Sequence, residues 1–410
     1  MNIQRLAGID VHKKMLAVVV ADAAGTEFVF ERCKFGTTSD QLALMREWLT
    51  SHGVQEIVME STAQYWKPVW RELEGHFALH LAQAHSNKAP KGRKSDFADA
   101  ERLVKRLVAE ELVLSYVPDP EQRLWRTLTH TKQQLTREKV RTLNQIEAFL
   151  EDARIKLSSF VSALKGVSSR RILKALSEGE TDPAKLVLLA DPGLRVKPEQ
   201  LCIALSEAAT VDGDLRRILA LFLNRLEATE TQIAVLEQLI ANRLRAHNDA
   251  VVRLAEIPGL GADSAQQVIA EIGPEAKTFG AAQKMASWIG VCPGREESAE
   301  VSKSNRSPKG NMTMRRILSQ AANAAIKSKG CVFEAFYKRV VPRLGHGKAV
   351  WAVARKLAVV IWKVLHDKVR YAEYGIRSNP EAAKKRASRL VSKLRSLGYC
   401  VTLTPLHSST

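Results

Sequence analysis

Arg5-Leu6-Ala7-Gly8-Ile9-Asp10 is the stretch that decides how this chain folds. A short apolar run closing on an acid reads as a β-strand whose last side chain projects at the carboxyl edge of a sheet. Working outward, Met15 to Ala21 and Glu27 to Lys34 are also patterned as strands. The turn-prone Asp22-Ala23-Ala24-Gly25 joins them into an antiparallel meander. A helical pattern follows from Gln41 to Ser51, then an apolar strand from Glu56 to Met59, a helix around Tyr65 to Leu73 and a strand near Ala78 to Gln83. Strands that alternate with helices predict an α/β domain with a buried, mixed sheet, spanning residues 1–115.

Beyond Pro120 the strand patterns vanish. Leu124, Leu128, Leu135, Leu143, Ile146 and Leu150 mark one long amphipathic helix, and Ile218, Phe222, Leu226, Ile233, Leu236, Ile240 and Leu244 mark a second. The two are expected to pair as an antiparallel hairpin or to form a coiled-coil-like dimer interface within residues 116–250, with a helical insert at 158–212 between them. A third, mainly α domain is expected over 251–375, closing with apolar helices at Met314 to Ile326 and Val350 to Leu365. A basic tail occupies 376–410.

Lysine and arginine outnumber aspartate and glutamate by 62 to 44, a net charge of +18, which calls for a polyanionic partner. An anionic membrane would answer the same charge, but no run of about 18 apolar residues is present and the start of the chain lacks the order of a signal peptide. A soluble, cytoplasmic protein is expected. The five cysteines are scattered and odd in number, which excludes a disulfide framework and a thiolate zinc site.

Four acids have the placement that chemistry needs. Asp10 ends the first strand and Glu60 stands at the same place after Ile57-Val58-Met59, so both belong to the carboxyl edge of the sheet. Asp96 and Asp99 lie three apart at a helix start, on one face. Carboxylates focused on one point repel unless divalent cations sit among them, and hard oxygen ligands suit Mg2+ or Mn2+. Singly, each acid has a plainer reading. Asp96 would be a helix N-cap, Asp99 a favourable first-turn charge, and Asp10 and Glu60 turn acids or surface ion-pair partners.

Further along, Ile257-Pro258-Gly259-Leu260-Gly261 before a helix resembles a helix-hairpin-helix, in which Gly259 and Gly261 would let backbone N–H groups grip a phosphate. A glycine turn between helices is the equally ready alternative. After Ala286-Ser287-Trp288-Ile289-Gly290-Val291-Cys292-Pro293 comes a basic polar loop, with Lys303, Arg306 and Lys309 leading to Arg315 and Arg316, cations suited to phosphates.

Three blocks together resemble the DEDD insertion-sequence transposases known as the one-ten family: Gly8-Ile9-Asp10-Val11-His12-Lys13-Lys14, Met59-Glu60-Ser61-Thr62-Ala63-Gln64-Tyr65-Trp66 and Lys94-Ser95-Asp96-Phe97-Ala98-Asp99-Ala100. The resemblance implies a first domain like the Holliday-junction resolvases (an RNase H or RuvC-like sheet) with Asp10, Glu60, Asp96 and Asp99 as catalytic metal ligands. It also implies that Ser298 is a nucleophile that holds a DNA strand covalently. Ala299 stands where family members usually carry glycine. It further implies DNA partners at the element ends and target, a non-coding guide RNA, and a homodimer or homotetramer that holds two DNA ends. Two other functions compete: a structure-selective endonuclease using the carboxylates alone, and a non-catalytic nucleic-acid-binding protein.

Overall fold

A computed structural model describes residues 5–22, 28–61, 63–84, 95–161, 163–293, 307, 309–372, 388 and 391–392, together with the backbone of 296–298 and 301–304. The chain divides into two compact units, 1–119 and 120–410.

The first unit is a six-stranded mixed sheet. Strands β1 (Arg5–Val11), β2 (Met15–Asp22) and β3 (Phe30–Gly36) form the antiparallel meander; β4 (Glu56–Glu60) and β5 (Ala78–Ala82) run parallel to β1, and the two-residue β6 (Leu114–Ser115) is antiparallel to β5. The spatial order is β3-β2-β1-β4-β5-β6. Strand alternation separates two cores. Ala7, Ile9, Val11, Ile57 and Met59 face α1 (Ser39–Ser51) and α2 (Trp66–Leu73), while Leu6, Val19, Ala21, Val58 and Ala82 face α3 (Asp96–Val108). Gly8 allows α3 to lie this close. A Cβ there would come within 2.3 Å of the Ala100 carbonyl oxygen and 2.8 Å of a Val104 methyl.

The second unit opens with α4 (Pro120–Asp152). Short helices follow: α5 (Leu157–Phe160), α6 (Val167–Glu178), α7 (Pro183–Leu188) and α8 (Pro198–Ala204). Next comes the long α9 (Gly213–Arg243). Helices α4 and α9 pair antiparallel: Phe149 meets Phe222, Lys139 bonds Glu230 at 2.7 Å and Lys132 bonds Glu237 at 2.8 Å. The remaining elements are α10 (Asn248–Ala255), α11 (Ala262–Ile272), α12 (Ala282–Ile289), a hairpin of β7 (Glu296–Ser298) and β8 (Val301–Ser304), α13 (Met312–Ala325) and α14 (Val332–His366). Two apolar cores occupy opposite ends of the α4–α9 hairpin. One gathers Ile146, Leu150, Leu219 and Leu226 with the short helices; the other gathers Trp125, Ile240 and Leu244 with α10 to α14.

Two expectations need correction, and of the two pairings offered for the long helices the antiparallel hairpin forms. Strands do not stop at Pro120, because the segment read as leading into a basic polar loop pairs Glu296 with Ser304 and Ser298 with Val301. A hairpin this short leaves no alternation long enough to read. The last helix starts at Val332, well before Val350, and absorbs Pro342 and a break at Gly345, whose φ of 73° is a conformation glycine adopts freely. Helices α4 and α9 satisfy each other within one chain, so their apolar stripes do not by themselves require a second copy. Among the described residues no helix is long and apolar enough to cross a membrane, and Cys33, Cys202, Cys292 and Cys331 are free thiols.

Candidate metal centre and nucleic-acid interface

Asp10 lies on the α3 side of β1, in the row of Leu6 and Gly8, and is 9% exposed. Ile9 pairs with Met59 in the parallel β1–β4 ladder, so the next step in register sets Glu60 beside Asp10 on the same face, at the adjacent-strand spacing of about 4.8 Å. Helix α3 brings its first turn over this edge. Its N-cap is Ser95 and not Asp96, so the plainer reading of Asp96 as a cap fails and its carboxylate is available to the sheet.

His12, which the sequence reading quoted but did not single out, occupies the space between the acids. Its Nε2 is 3.0 Å from Asp10 Oδ2 and 3.4 Å from Asp96 Oδ1. Asp10, His12 and Asp96 each offer a ligand atom within 4.8 Å of the others, a grouping able to hold a metal ion. Lys34 Nζ approaches Asp96 at 3.9 Å. Asp99 turns to Arg102, which donates to it at 2.5 Å.

Burial pushes the Asp10 carboxyl above its ordinary range; His12 opposes this and the charges of Asp99 and Asp96 add to it. Lys34 and Arg102 serve Asp96 and Asp99, whereas His12 is the basic group beside Asp10. The donor set, carboxylate oxygens with one imidazole, fits a hard divalent ion. Glu56, at the opposite end of β4, is held by His80 at 2.8 Å and takes no part.

The second unit places its predicted residues less uniformly. Gly259 has a φ of 89°, and a Cβ on it would meet the Ala321 carbonyl oxygen at 2.2 Å. Its need for glycine is thus explained by packing on α13. Gly261 is the N-cap of α11 with open space about it. Arg315 donates to the Gly290 carbonyl and stacks 4.5 Å over Trp351. Arg316 donates to Gln267 at 2.5 Å, and burial and the nearby charge of Arg137 push its pKa down. Lys309 is exposed. Arg306 and the side chains of Ser298 and Lys303 lie outside the described residues. The backbone of Ser298 ends β7, where the strand turns towards β8.

A further polar cluster was invisible in the sequence. Glu271, 2% exposed, accepts from Asn311 Nδ2 at 2.8 Å and lies 2.6 Å from His130 Nε2, with Arg126 Nε at 3.9 Å. Burial pushes this carboxyl up, yet His130, Arg126 and Asn311 together hold it below the ordinary range.

Two family models match the chain. The DEDD transposase model of the IS110 type covers residues 7–155, with Asp10, Glu60, Asp96 and Asp99 inside it, and the model described as the transposase IS116/IS110/IS902 family covers 251–338, with Ser298 inside it. The predicted acids and Ser298 thus each fall within a matched segment. The chain belongs to the IS110-type family of insertion-sequence transposases. It is 27% identical over 173 residues to the transposase for insertion sequence element IS1111A of Coxiella burnetii (strain RSA 493 / Nine Mile phase I), covering 41% of this chain and 47% of that protein. It is 24% identical over 155 residues to the insertion element IS900 uncharacterized 42 kDa protein of Mycobacterium paratuberculosis, covering 38% and 39%. The chain therefore spans less than half the length of either relative. A solved T. thermophilus RuvC in complex with Holliday junction substrate aligns over 27% of this chain and 99% of its own, at 11% identity and a TM-score of 0.22.

Proposed function

We propose that this chain is a site-specific DNA recombinase that cuts and rejoins strands at the ends of an insertion sequence. Asp10, Glu60, Asp96 and Asp99 hold Mg2+ or Mn2+, and Ser298 carries the strand covalently. The observation that carries the reading is the meeting of Asp10, His12 and Asp96 at the carboxyl edge of the sheet, beside Glu60 in the next strand. Bound there, divalent ions polarise phosphoryl oxygens and stabilise the attacking and leaving oxygens. The chain's own part is geometric. The β1–β4 register fixes two acids, Gly8 lets α3 deliver a third, and His12 shields the acids from one another. His12 offers one ligand atom of the same cluster, and metal and protons compete for all of these groups.

Lys309, Arg315, Arg316, Gly259 and Gly261 are the phosphate-contacting residues of the second unit, together with Lys303 and Arg306 as the sequence predicts them, and the overall charge of +18 accommodates both DNA and a structured guide RNA. Two DNA ends require two active sites, hence a homodimer or homotetramer working in the cytoplasm.

The test is denaturing electrophoresis of labelled element-junction DNA after incubation with magnesium, RNA transcribed from the element's flank, and the native, Ser298→Ala or Asp10→Ala chain. A DNA–protein adduct lost in both variants is expected. Free cleaved strands without an adduct, lost only in Asp10→Ala, replace this reading with a carboxylate nuclease; metal that changes neither activity nor thermal stability replaces it with a binding protein.

A further inference from the structure

We infer that Arg137 of α4 and Arg316 of α13 form a clamp for a phosphodiester group of a nucleic-acid backbone, held in shape by the glutamines around them. The inference deepens the reading of Arg316 as a phosphate contact, on which it rests, and needs neither the serine nor the metal.

The Arg316 guanidinium is oriented from three helices. Gln133 Oε1 of α4 accepts from its Nε at 2.8 Å, Gln267 Oε1 of α11 from its Nη2 at 2.5 Å, and Gln320 Oε1 of α13 from its Nη1 at 3.2 Å. All of these acceptors are amides, which fix direction without supplying negative charge. The same Gln133 oxygen accepts from Arg137 Nη2 at 2.7 Å, one turn further along α4, so two guanidiniums converge on one neutral atom. A carboxylate in that place would neutralise both.

The nearby acids are already matched. Asp263 is taken by Lys132 at 2.6 Å and by Gln267 Nε2 at 2.7 Å, and Glu271 by His130 at 2.6 Å and Asn311 at 2.8 Å. Among the described residues neither Arg137 nor Arg316 forms an ion pair with an acid. Burial and the charge of Arg137 push the Arg316 pKa down, as expected of a cation held without a counter-charge. Two like charges kept together in a partly buried place destabilise the free protein, and an anion that enters between them relieves the repulsion.

The donors left over suit phosphate. The glutamines take three N–H groups of Arg316 and leave it a pair, while Arg137 gives up one and is otherwise exposed. A phosphodiester presents a pair of non-bridging oxygens that share one negative charge, and the planar fork of a guanidinium matches them better than the point charge of a lysine. Arg126 and His130 continue the face of α4 that carries Gln133 and Arg137, at intervals of three and four residues, so a strand leaving the clamp meets further basic groups along the helix.

The experiment measures binding of the full-length native chain and of Arg137→Gln, Gln133→Glu and Gln134→Glu to duplex DNA of arbitrary sequence and to RNA transcribed from the element's flank. Divalent metal is left out so that nothing is cut, and affinities are taken over a salt series. Melting curves are recorded in chloride and in inorganic phosphate at equal ionic strength. Arg137→Gln is expected to bind about tenfold more weakly, with a salt slope shallower by about one, and to melt no lower than the native chain because it removes a like charge. Gln133→Glu sets a carboxylate between the guanidiniums. It should melt higher yet bind more weakly than Gln134→Glu, which adds the same charge at the neighbouring, exposed position. Inorganic phosphate should raise the native melting temperature more than that of Arg137→Gln. A loss confined to DNA or to RNA names the backbone that occupies the clamp. Native affinity and slope in Arg137→Gln overturn the inference, as do weaker binding joined to a lowered melting temperature, or a Gln133→Glu chain that binds as Gln134→Glu does. Should the variants behave as expected while magnesium yields neither adduct nor cleavage, the recombinase reading fails and the clamp stands. A native chain that binds neither nucleic acid removes the phosphate surface and the clamp together.

Discussion

Asp10 and Glu271 are both enclosed carboxylates beside a histidine, yet they are driven in opposite directions. Asp10 has other acids for neighbours, and burial pushes its pKa up. Glu271 is enclosed at least as deeply, but Arg126, His130 and Asn311 push its pKa down. Burial alone therefore does not decide what an acid does; the sign of its neighbours does. The first arrangement asks for a cation from outside, whereas the second is complete within the protein and spends its charge on orienting other groups.

The largest expected effect tests the first half of that contrast. Asp10→Ala should slow metal-dependent strand cleavage by about a hundredfold to a thousandfold, the usual loss when one electrostatic group is removed from such a site. The milder Asp10→Asn should raise the metal-free melting temperature and abolish its increase with magnesium. The pH dependence follows the same sign. A folded-state pKa above the unfolded one means that in the metal-free chain the Asp10 carboxyl contributes stability that is fully present in acid and is lost as pH climbs through the ordinary carboxylate range towards the raised value. Metal affinity, measured calorimetrically, should move the other way and rise over that interval. Magnesium that stabilises Asp10→Asn as much as the native chain would break the contrast.

Glu271→Ala addresses the second half. It strands Arg126, His130 and Asn311 against a buried gap, and a loss of about 3 to 5 kcal/mol is expected in urea denaturation. For the native residue, stability is present above the ordinary carboxylate range and falls as pH drops below it, opposite to Asp10. A cost below about 1 kcal/mol would show that the network is not matched as described.

Gly8→Ala probes how the acids are brought together. The new methyl collides with backbone in α3, and overpacking of this kind costs about 1 to 3 kcal/mol. Because α3 carries Asp96, weaker magnesium binding should accompany the loss, read by calorimetry beside the melting curve. Unchanged affinity would detach α3 from the site.

The smallest effect calibrates the rest. Glu230, between Lys139 and Arg170, is held at about 2 chiefly by the hydrogen bond from Arg170. It is 25% exposed, and after allowance for solvent Glu230→Gln should cost about 1 kcal/mol. That stability is present above about pH 4.5 and lost as pH falls from there to about 2.

Much of the first unit was legible because its cause is local. A short apolar run ending in an acid declares both a strand and the position of Asp10, and the same pattern gives Glu60. His12 was missed although it follows Asp10 by two residues, the spacing that returns a strand side chain to the same face. The long helices were legible from their apolar stripes, but which of the offered pairings they adopt was not, since one stripe serves either partner. Glu271 and His130 could not be paired in advance, being 141 residues apart, with the acid inside an apolar helix pattern. The hairpin at Ser298 was obscured because its strands are shorter than the alternation needed to recognise them.

The α4–α9 hairpin has a consequence for how such a protein diversifies. At 33 residues α4 is roughly 50 Å long, and the short helices between α4 and α9 hang from the end remote from Trp125, Ile240 and Leu244. Growth, loss or replacement of that appendage changes a core that shares no residue with the one around α10 to α14. Loop length is also thermodynamically inexpensive at such a tip. The hairpin thus behaves as a handle whose far end evolution can re-carve freely, making that end the natural place to graft a foreign domain.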